Sequence, residues 1–133
     1  MKVSIITVTY NSEKYIERCI NSVLQQNYNN IEFIIIDGNS TDSTVGLINK
    51  YEKYISCFIS EVDNGIYDAM NKGILQATGD IIGILNSDDY FYDNNVINKV
   101  VDFHTNNNID ASISNVLQCN QDQKIIRKYS SLK

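Results

Sequence analysis

Acidic, amide and hydroxyl side chains in this 133-residue chain collect in short groups, each set directly after a run of apolar residues. Thr9-Tyr10-Asn11, Asp37-Gly38-Asn39-Ser40, Glu61-Val62-Asp63-Asn64-Gly65 and Asn86-Ser87-Asp88-Asp89 close successive runs of this kind. Taken singly, such residues make ordinary turns and caps, because Asp, Asn and Ser bond neighbouring amides and Gly accepts left-handed backbone. Taken together, they describe a rim of hard oxygen donors. Carboxylates without His or Cys beside them suit Mg²⁺ or Mn²⁺, which keep positions open for phosphate oxygens and water. Asp88 and Asp89 are the best metal candidates. Neighbours on an extended chain project to opposite sides, so one would bind a cation while the other orients a water, a backbone group or a sugar. The alternative is that the pair caps the turn beginning at Tyr90.

Other chemistries find less support. A dinucleotide fold wants glycines after its first strand, where this chain has Tyr10-Asn11-Ser12-Glu13, and no G-x-x-x-x-G-K-[ST] phosphate loop occurs. A phosphoacceptor domain would need an acidic pair at that same place. The single His104 sits in a helical pattern with no nucleophile motif nearby, which disfavours a Ser-His-Asp hydrolase. Cys19, Cys57 and Cys119 are odd in number and widely spaced, so they suggest reduced thiols rather than a disulfide framework or thiolate metal site. A net charge of −5, with the 11 basic residues scattered, argues against a nucleic-acid partner. The start of the chain lacks a signal-peptide pattern, and no run approaches the roughly 18 apolar residues of a membrane span. The expected location is cytoplasmic, with peripheral attachment at the inner membrane face as a possible addition.

The elements that must position this rim follow from hydrophobic period. KVSIITVT over 2–9 reads as a buried strand, and Tyr15, Ile16, Cys19, Ile20, Val23 and Leu24 recur at helical spacing, with Asn11 or Ser12 available as cap. The alternation repeats: strand 31–36, a helix marked by Val45, Ile48, Tyr51 and Tyr54 or Ile55, strand 57–60, helix 66–77 and strand 81–85. A helix over 96–104, a fifth strand over 109–116 and a sixth, exposed strand over 124–129 complete the pattern. Apolar strands separated by helices imply a parallel sheet covered on both faces, hence an α/β three-layer αβα sandwich. The expected order of the first four strands is three-two-one-four. Ligands of such sheets bind beyond the carboxyl ends of the strands, near the switch between strands one and four. One domain over 1–133 is expected, burying about two-thirds of its unfolded surface.

The motifs SIITVTYN at 4–11, IIIDGNSTDST at 34–44 and GDIIGILNSDD at 79–89 resemble the family 2 glycosyltransferases of the GT-A fold. The stretch SEVDNGIYDAMNKGI at 60–74 resembles the branch that builds bacterial surface polysaccharides. The match is strong from Val3 to Phe91 and weak over 92–133. It implies that Thr9, Tyr10 and Asn11 line a nucleotide pocket, that Asp37 accepts hydrogen bonds from base or ribose, and that Asp63 helps close the base pocket. Asn64, Asn86 and Ser87 would join them in donor binding. Asp88 stands at the second acidic position of the D-x-D motif, with Asp89 beside it as the second metal candidate.

Two departures stand out. Asn86 replaces the usual first Asp of D-x-D, and Met70 replaces an Arg common in relatives, which leaves Lys72 as the expected positive charge near the nucleotide. The resemblance implies inverting transfer of a sugar from a UDP- or GDP-linked donor to a glycan or lipid-linked acceptor, assisted by Mn²⁺ or Mg²⁺. The general base is expected beyond Lys133, on an acceptor half whose absence would mark a truncated chain. The rival reading is a non-catalytic nucleotide-sugar-binding or assembly module. A homo-oligomer is a further expectation, because loss of half a domain would bare apolar sheet surface.

Overall fold

Two strands built almost wholly from β-branched and aromatic residues occupy the centre of the molecule. In β1 (Val3–Thr9) every residue is buried, and in β2 (Ile31–Asp37) every residue but the first. The computed structural model describes residues 1–130; positions 131–133, the end of the expected domain, lie outside the described residues. β1 runs parallel to β2 from Val3 opposite Ile31 to Thr9 opposite Asp37, and parallel to β4 (Ile81–Ile84) on its other edge. β2 pairs in parallel with β3 (Cys57–Ser60), giving the order β3-β2-β1-β4 that the sequence leads one to expect.

Side-chain alternation divides the sheet into two faces. Val3, Ile5, Phe33, Ile35 and Ile81 meet Ile16, Cys19, Ile20 and Val23 of α1 (Ile16–Leu24), Ile48 of α2 (Thr44–Asn49) and Ile97 of α4 (Val96–Asn107). On the opposite face Ile6, Val8, Ile34 and Ile36 meet Ala69 of α3 (Ile66–Gln76). α3 approaches so closely that a Cβ on Gly73 would run into the Ile6 side chain. This is the expected αβα layering. At the β4 edge, Ile82 and Ile84 remain exposed.

Three local expectations need correction. α1 has no side-chain cap from Asn11 or Ser12. The Ser12 carbonyl instead accepts the Tyr15 and Ile16 amides, while its hydroxyl meets Ser87. The second helix stops at Asn49 and is followed by a short 3₁₀ turn over Glu52–Tyr54. Tightening into i→i+3 bonds, Lys50 to Leu47 and Tyr51 to Ile48, turns the chain so that the Ser56 amide reaches Phe33 and starts β3. The fifth strand is not 109–116 but β5 (Val116–Cys119), antiparallel to β6 (Ile125–Tyr129) in a separate two-stranded sheet. The alternating 109–115 segment lies largely exposed, with Ile113 at 84%, because alternation alone supplies no strand partner. The hairpin turn is closed by the Asn120 amide bonding the Lys124 carbonyl.

The chain divides into two compact units, Met1–Val101 and Asp102–Lys133. No helix among the described residues is long and apolar enough to cross a membrane.

At the amino-terminal end of the sheet a polar cluster is fully engaged. The buried Glu32 carboxylate accepts Lys2 Nζ at 2.5 Å, Ser4 Oγ at 2.6 Å, and the Thr78 amide and hydroxyl, each at 2.7 Å. Ser4 Oγ in turn accepts the Gly79 amide, and a Cβ at Gly79 would come within 2.6 Å of that oxygen. Burial by itself would raise the Glu32 pKa; the bonds from Lys2, Ser4 and Thr78 outweigh it and bring the carboxyl from 4.5 down to about 2. A folded-state pKa below the unfolded one stabilises the protein above pH 4.5, and that contribution disappears as pH falls toward 2. Glu32→Gln should therefore cost about 3 kcal/mol at pH 7 by urea denaturation. The gap between wild type and variant should close between pH 5 and 2; a gap that persists at low pH would show that the charge is not what matters.

Candidate active site

The carboxyl ends of β1, β2 and β4 open into a cleft of about 720 Å³. β1 contributes Val8 and Thr9, with Tyr10 just after it, the loop after β2 contributes Gly38, Asn39 and Thr41, and the loop after β4 contributes Asn86, Ser87 and Asp88. Val62, Asp63 and Gly65 close the far side with Ile66 and Ala69 of α3.

These loops are tied to one another rather than merely adjacent. Asn11 takes positive φ, its amide donates to Ser40 Oγ at 2.8 Å, and its Oδ1 accepts the Thr41 amide at 2.9 Å. The Ser12 amide donates to Thr44 Oγ1, and the Ser12 and Ser87 hydroxyls lie 2.9 Å apart. The loop before α3 is held by Asp63 Oδ1, which accepts the Gly65 amide, and by Asp68, which accepts the Asn64 amide. Gly65 has φ +105°, a conformation that favours glycine, and this lets the chain turn into α3 with the helix amino-terminus beside the cleft.

Of the residues expected at the site, Thr9, Tyr10, Asp63, Asn86, Ser87 and Asp88 line this cleft; Asn11, Asp37, Asn64, Lys72 and Asp89 do not. Asp37 is fully buried, and its carboxylate accepts the Ser40 amide, the Ser40 hydroxyl and the Ser60 hydroxyl. It therefore braces the β2 loop against β3. Lys72 pairs with Glu61 at 2.9 Å and Asp68 at 3.5 Å and donates to the Val62 carbonyl, so its charge is already balanced. Asp89 is an exposed residue whose carboxyl is partly desolvated. That desolvation, and then the charge of Asp88, raise its pKa, with Arg18 acting in the opposite direction.

Two buried side-chain atoms among the described residues have no hydrogen-bond partner, Thr9 Oγ1 and Asn86 Oδ1, and both residues line the cleft. Native proteins rarely leave such atoms unpaired, so a polar ligand or water is needed to complete them. No group of three or more His, Cys, Asp or Glu among the described residues could enclose a metal ion. Asp88 and Asp89 thus fit only a cation shared with its ligand, which is how Mg²⁺ sits on one or two carboxylates plus phosphates and water.

Several lining residues escaped sequence reasoning. Val62, 74% exposed, lies in a polar loop and the exposed Ile66 opens α3, and these uncovered apolar side chains were the available signal. Gly38 matters for its missing side chain: a Cβ there would lie 2.8 Å from Asp63 Oδ2 and 3.5 Å from the Tyr10 ring.

The sequence profile described as Glycosyl transferase family 2 matches residues 4–132. The chain belongs to this family. An uncharacterized glycosyltransferase of Haemophilus influenzae is 34% identical over 98% of this chain and 53% of its own length. Among solved structures, Staphylococcus aureus TarS 1–349 in complex with UDP-GlcNAc superposes with a TM-score of 0.76 at 25% identity, covering 96% of this chain and 37% of that one. A mannosyltransferase from Pyrobaculum calidifontis, in complex with GDP-Man and Mn²⁺, shares the fold at a TM-score of 0.73 and 23% identity, over 90% of this chain and 35% of that one. The chain thus spans about half the length of the Haemophilus relative and carries the GT-A type of α/β sheet.

The glycines lead to a paired expectation. Gly38→Ala should displace Asp63 at a cost of about 1 kcal/mol. Gly46→Ala, inside α2 with nothing within 4 Å of the new Cβ, should instead gain about 0.5–1 kcal/mol. Urea denaturation of the two variants checks the contrast, and equal effects would show that Asp63 yields freely.

Proposed function

We propose that the cleft is the donor site of a glycosyltransferase and takes the nucleoside diphosphate of an activated sugar together with Mg²⁺ or Mn²⁺. The observation that carries this reading is the meeting of Tyr10, Asp63, Asn86, Ser87 and Asp88 around one cleft that also holds two unpartnered polar atoms. The exposed Tyr10 ring and the Val62 side chain offer flat and apolar surface to a base, and Asp63 offers an acceptor at its edge. Thr9 Oγ1 and Asn86 Oδ1 would gain partners from base, ribose or bound water. Asp37 and Asn11 serve by bracing the loops, and Lys72 by holding the Val62 carbonyl.

No Lys or Arg lines the cleft among the described residues. The diphosphate charge is therefore left to a cation held at Asp88, with Asp89 as second carboxylate. When bound, such a cation stabilises the charge that develops on the leaving diphosphate. The sugar would pass to a glycan or lipid-linked acceptor, attacked by a hydroxyl from the face opposite the diphosphate. On this reading the acidic side chains that line the cleft, Asp63 and Asp88, belong to the donor side. A base for that hydroxyl is best sought in the portion of the longer relatives that this chain does not span. UDP is the first donor nucleotide to try, since TarS, the relative in complex with UDP-GlcNAc, aligns over nearly the whole chain; GDP is the second.

Isothermal titration with UDP and GDP, with and without Mn²⁺, tests the reading: neither nucleotide binding more tightly with metal would sink it. Asp88→Asn should weaken Mn²⁺-dependent binding by about tenfold or more. Asp93→Asn, at a carboxylate already engaged by Lys99 and the Asn95 amide, should leave it nearly unchanged. Equal effects from the two would reduce the Asp88-Asp89 pair to a solvated turn.

A further inference from the structure

The loop that carries Asp88 has little internal structure, with one turn closed by the Asp89 amide on the Asn86 carbonyl at 3.0 Å. Its first residues are tied to β1 and the loop after it, by the Ser87 amide on the Val8 carbonyl at 3.3 Å and the Ser12 and Ser87 hydroxyls at 2.9 Å, and from Asp88 onward it is held by α1. Arg18 Nη2 donates to the Asp88 carbonyl at 3.3 Å, and the guanidinium carbon lies 4.3 Å from the centre of the Tyr90 ring. One turn along the same helix face, Ser22 Oγ accepts the Phe91 amide at 3.2 Å. Just past the helix end, the buried Gln26 donates to the Asp93 carbonyl at 2.7 Å and accepts the Ile97 amide at 3.1 Å, which fastens the start of α4. Residues 18, 22 and 26 thus grip the backbone of the 88–97 segment at successive points. All but the Tyr90 stack are bonds to backbone atoms.

We propose that this row of α1 side chains is a rail that sets the metal-binding loop, with Arg18 as the positioning residue for the Asp88 and Asp89 carboxylates. The proposal rests on the donor-site reading for its consequence in metal binding, though not for its effect on the loop. At 3.3 Å the Arg18 bond is long for a charge-assisted contact, so the stack on Tyr90 shares the work. A planar guanidinium can bond the carbonyl and cover the ring together, whereas an ammonium cannot. Through-space charge and positioning have opposite consequences for a cation. As a bare positive charge beside two metal-binding carboxylates, Arg18 repels Mn²⁺, and deleting it would tighten the metal. As a positioning residue it aids Mn²⁺, and deleting it loosens the metal.

Two measurements on the same variants decide the matter. Without any ligand, amide hydrogen exchange over 87–91 should accelerate in Arg18→Ala and in Ser22→Ala, while exchange within α3 stays as in wild type. With UDP or GDP at saturation, whichever the wild type binds, Mn²⁺ affinity should fall roughly tenfold in Arg18→Ala. Arg18→Lys should restore only part of it, and Lys14→Ala, at an exposed basic residue, should leave it unchanged. If Arg18→Ala fails to fold, Ser22→Ala carries the same expectations for exchange and for Mn²⁺. Unchanged exchange at 87–91, or Mn²⁺ affinity that is equal or higher in Arg18→Ala, overturns the rail. A wild type whose nucleotide binding ignores Mn²⁺ overturns the donor-site reading and the metal-setting role together. The exchange result then separates that failure from one in the loop contacts.

Discussion

β1 has neither a free edge nor an open face: β2 and β4 take its two edges, and helices cover both sides. Because its backbone groups bond within the sheet and its side chains are buried, the strand cannot shift by a residue without exposing one set of apolar groups and burying the wrong ones. Everything at the site is referred to that strand. The chain leaves β1 at Thr9, β2 ends beside it at Asp37, and the segment after β4 stays on β1 through the Ser87 amide on the Val8 carbonyl, so their loops converge over the same point. The switch in strand order between β1 and β4 keeps the crossing helices from filling the space between those loops.

The two ends of the sheet treat polarity in opposite ways. At the amino-terminal end Glu32 has donors from Lys2, Ser4 and Thr78, and the Ser4 hydroxyl and Gly79 close the remaining space. A buried network satisfied to this degree is rigid, and its charge is anchored. At the carboxyl-terminal end Thr9 Oγ1 and Asn86 Oδ1 are buried without partners. One end therefore holds the strands together, and the other retains unmet hydrogen-bonding capacity.

Around the cleft, charge is spent on geometry before it is offered to a ligand. Asp37 is saturated by Ser40 and Ser60, and Lys72 is neutralised by Glu61 and Asp68. Both would look like ligand contacts if only their types and places in the chain were considered. Their work is to stiffen the β2 and β3 loops so that Tyr10, Asp63 and Asp88 keep their places. Arg18 belongs to the same economy on the α1 side, where it meets the carbonyl of Asp88 rather than the carboxylate.

The sequence by itself determined the alternation of strands and helices through the first four strands and the polar rim, because each rests on local signals: apolar period, β-branched runs and turn residues after each strand. Family motifs over 4–89 sharpened the rim into a candidate donor site. Partnership was decided only by the tertiary structure. Whether Asp37 faces a ligand or Ser60, whether Lys72 is free or paired, and whether 109–116 finds a strand partner all depend on groups far away in the chain. Gly38 likewise reads as a turn glycine until Asp63 stands against it. A hydrogen bond or an ion pair belongs to two residues, and the spacing within either one's own segment carries no information about the other.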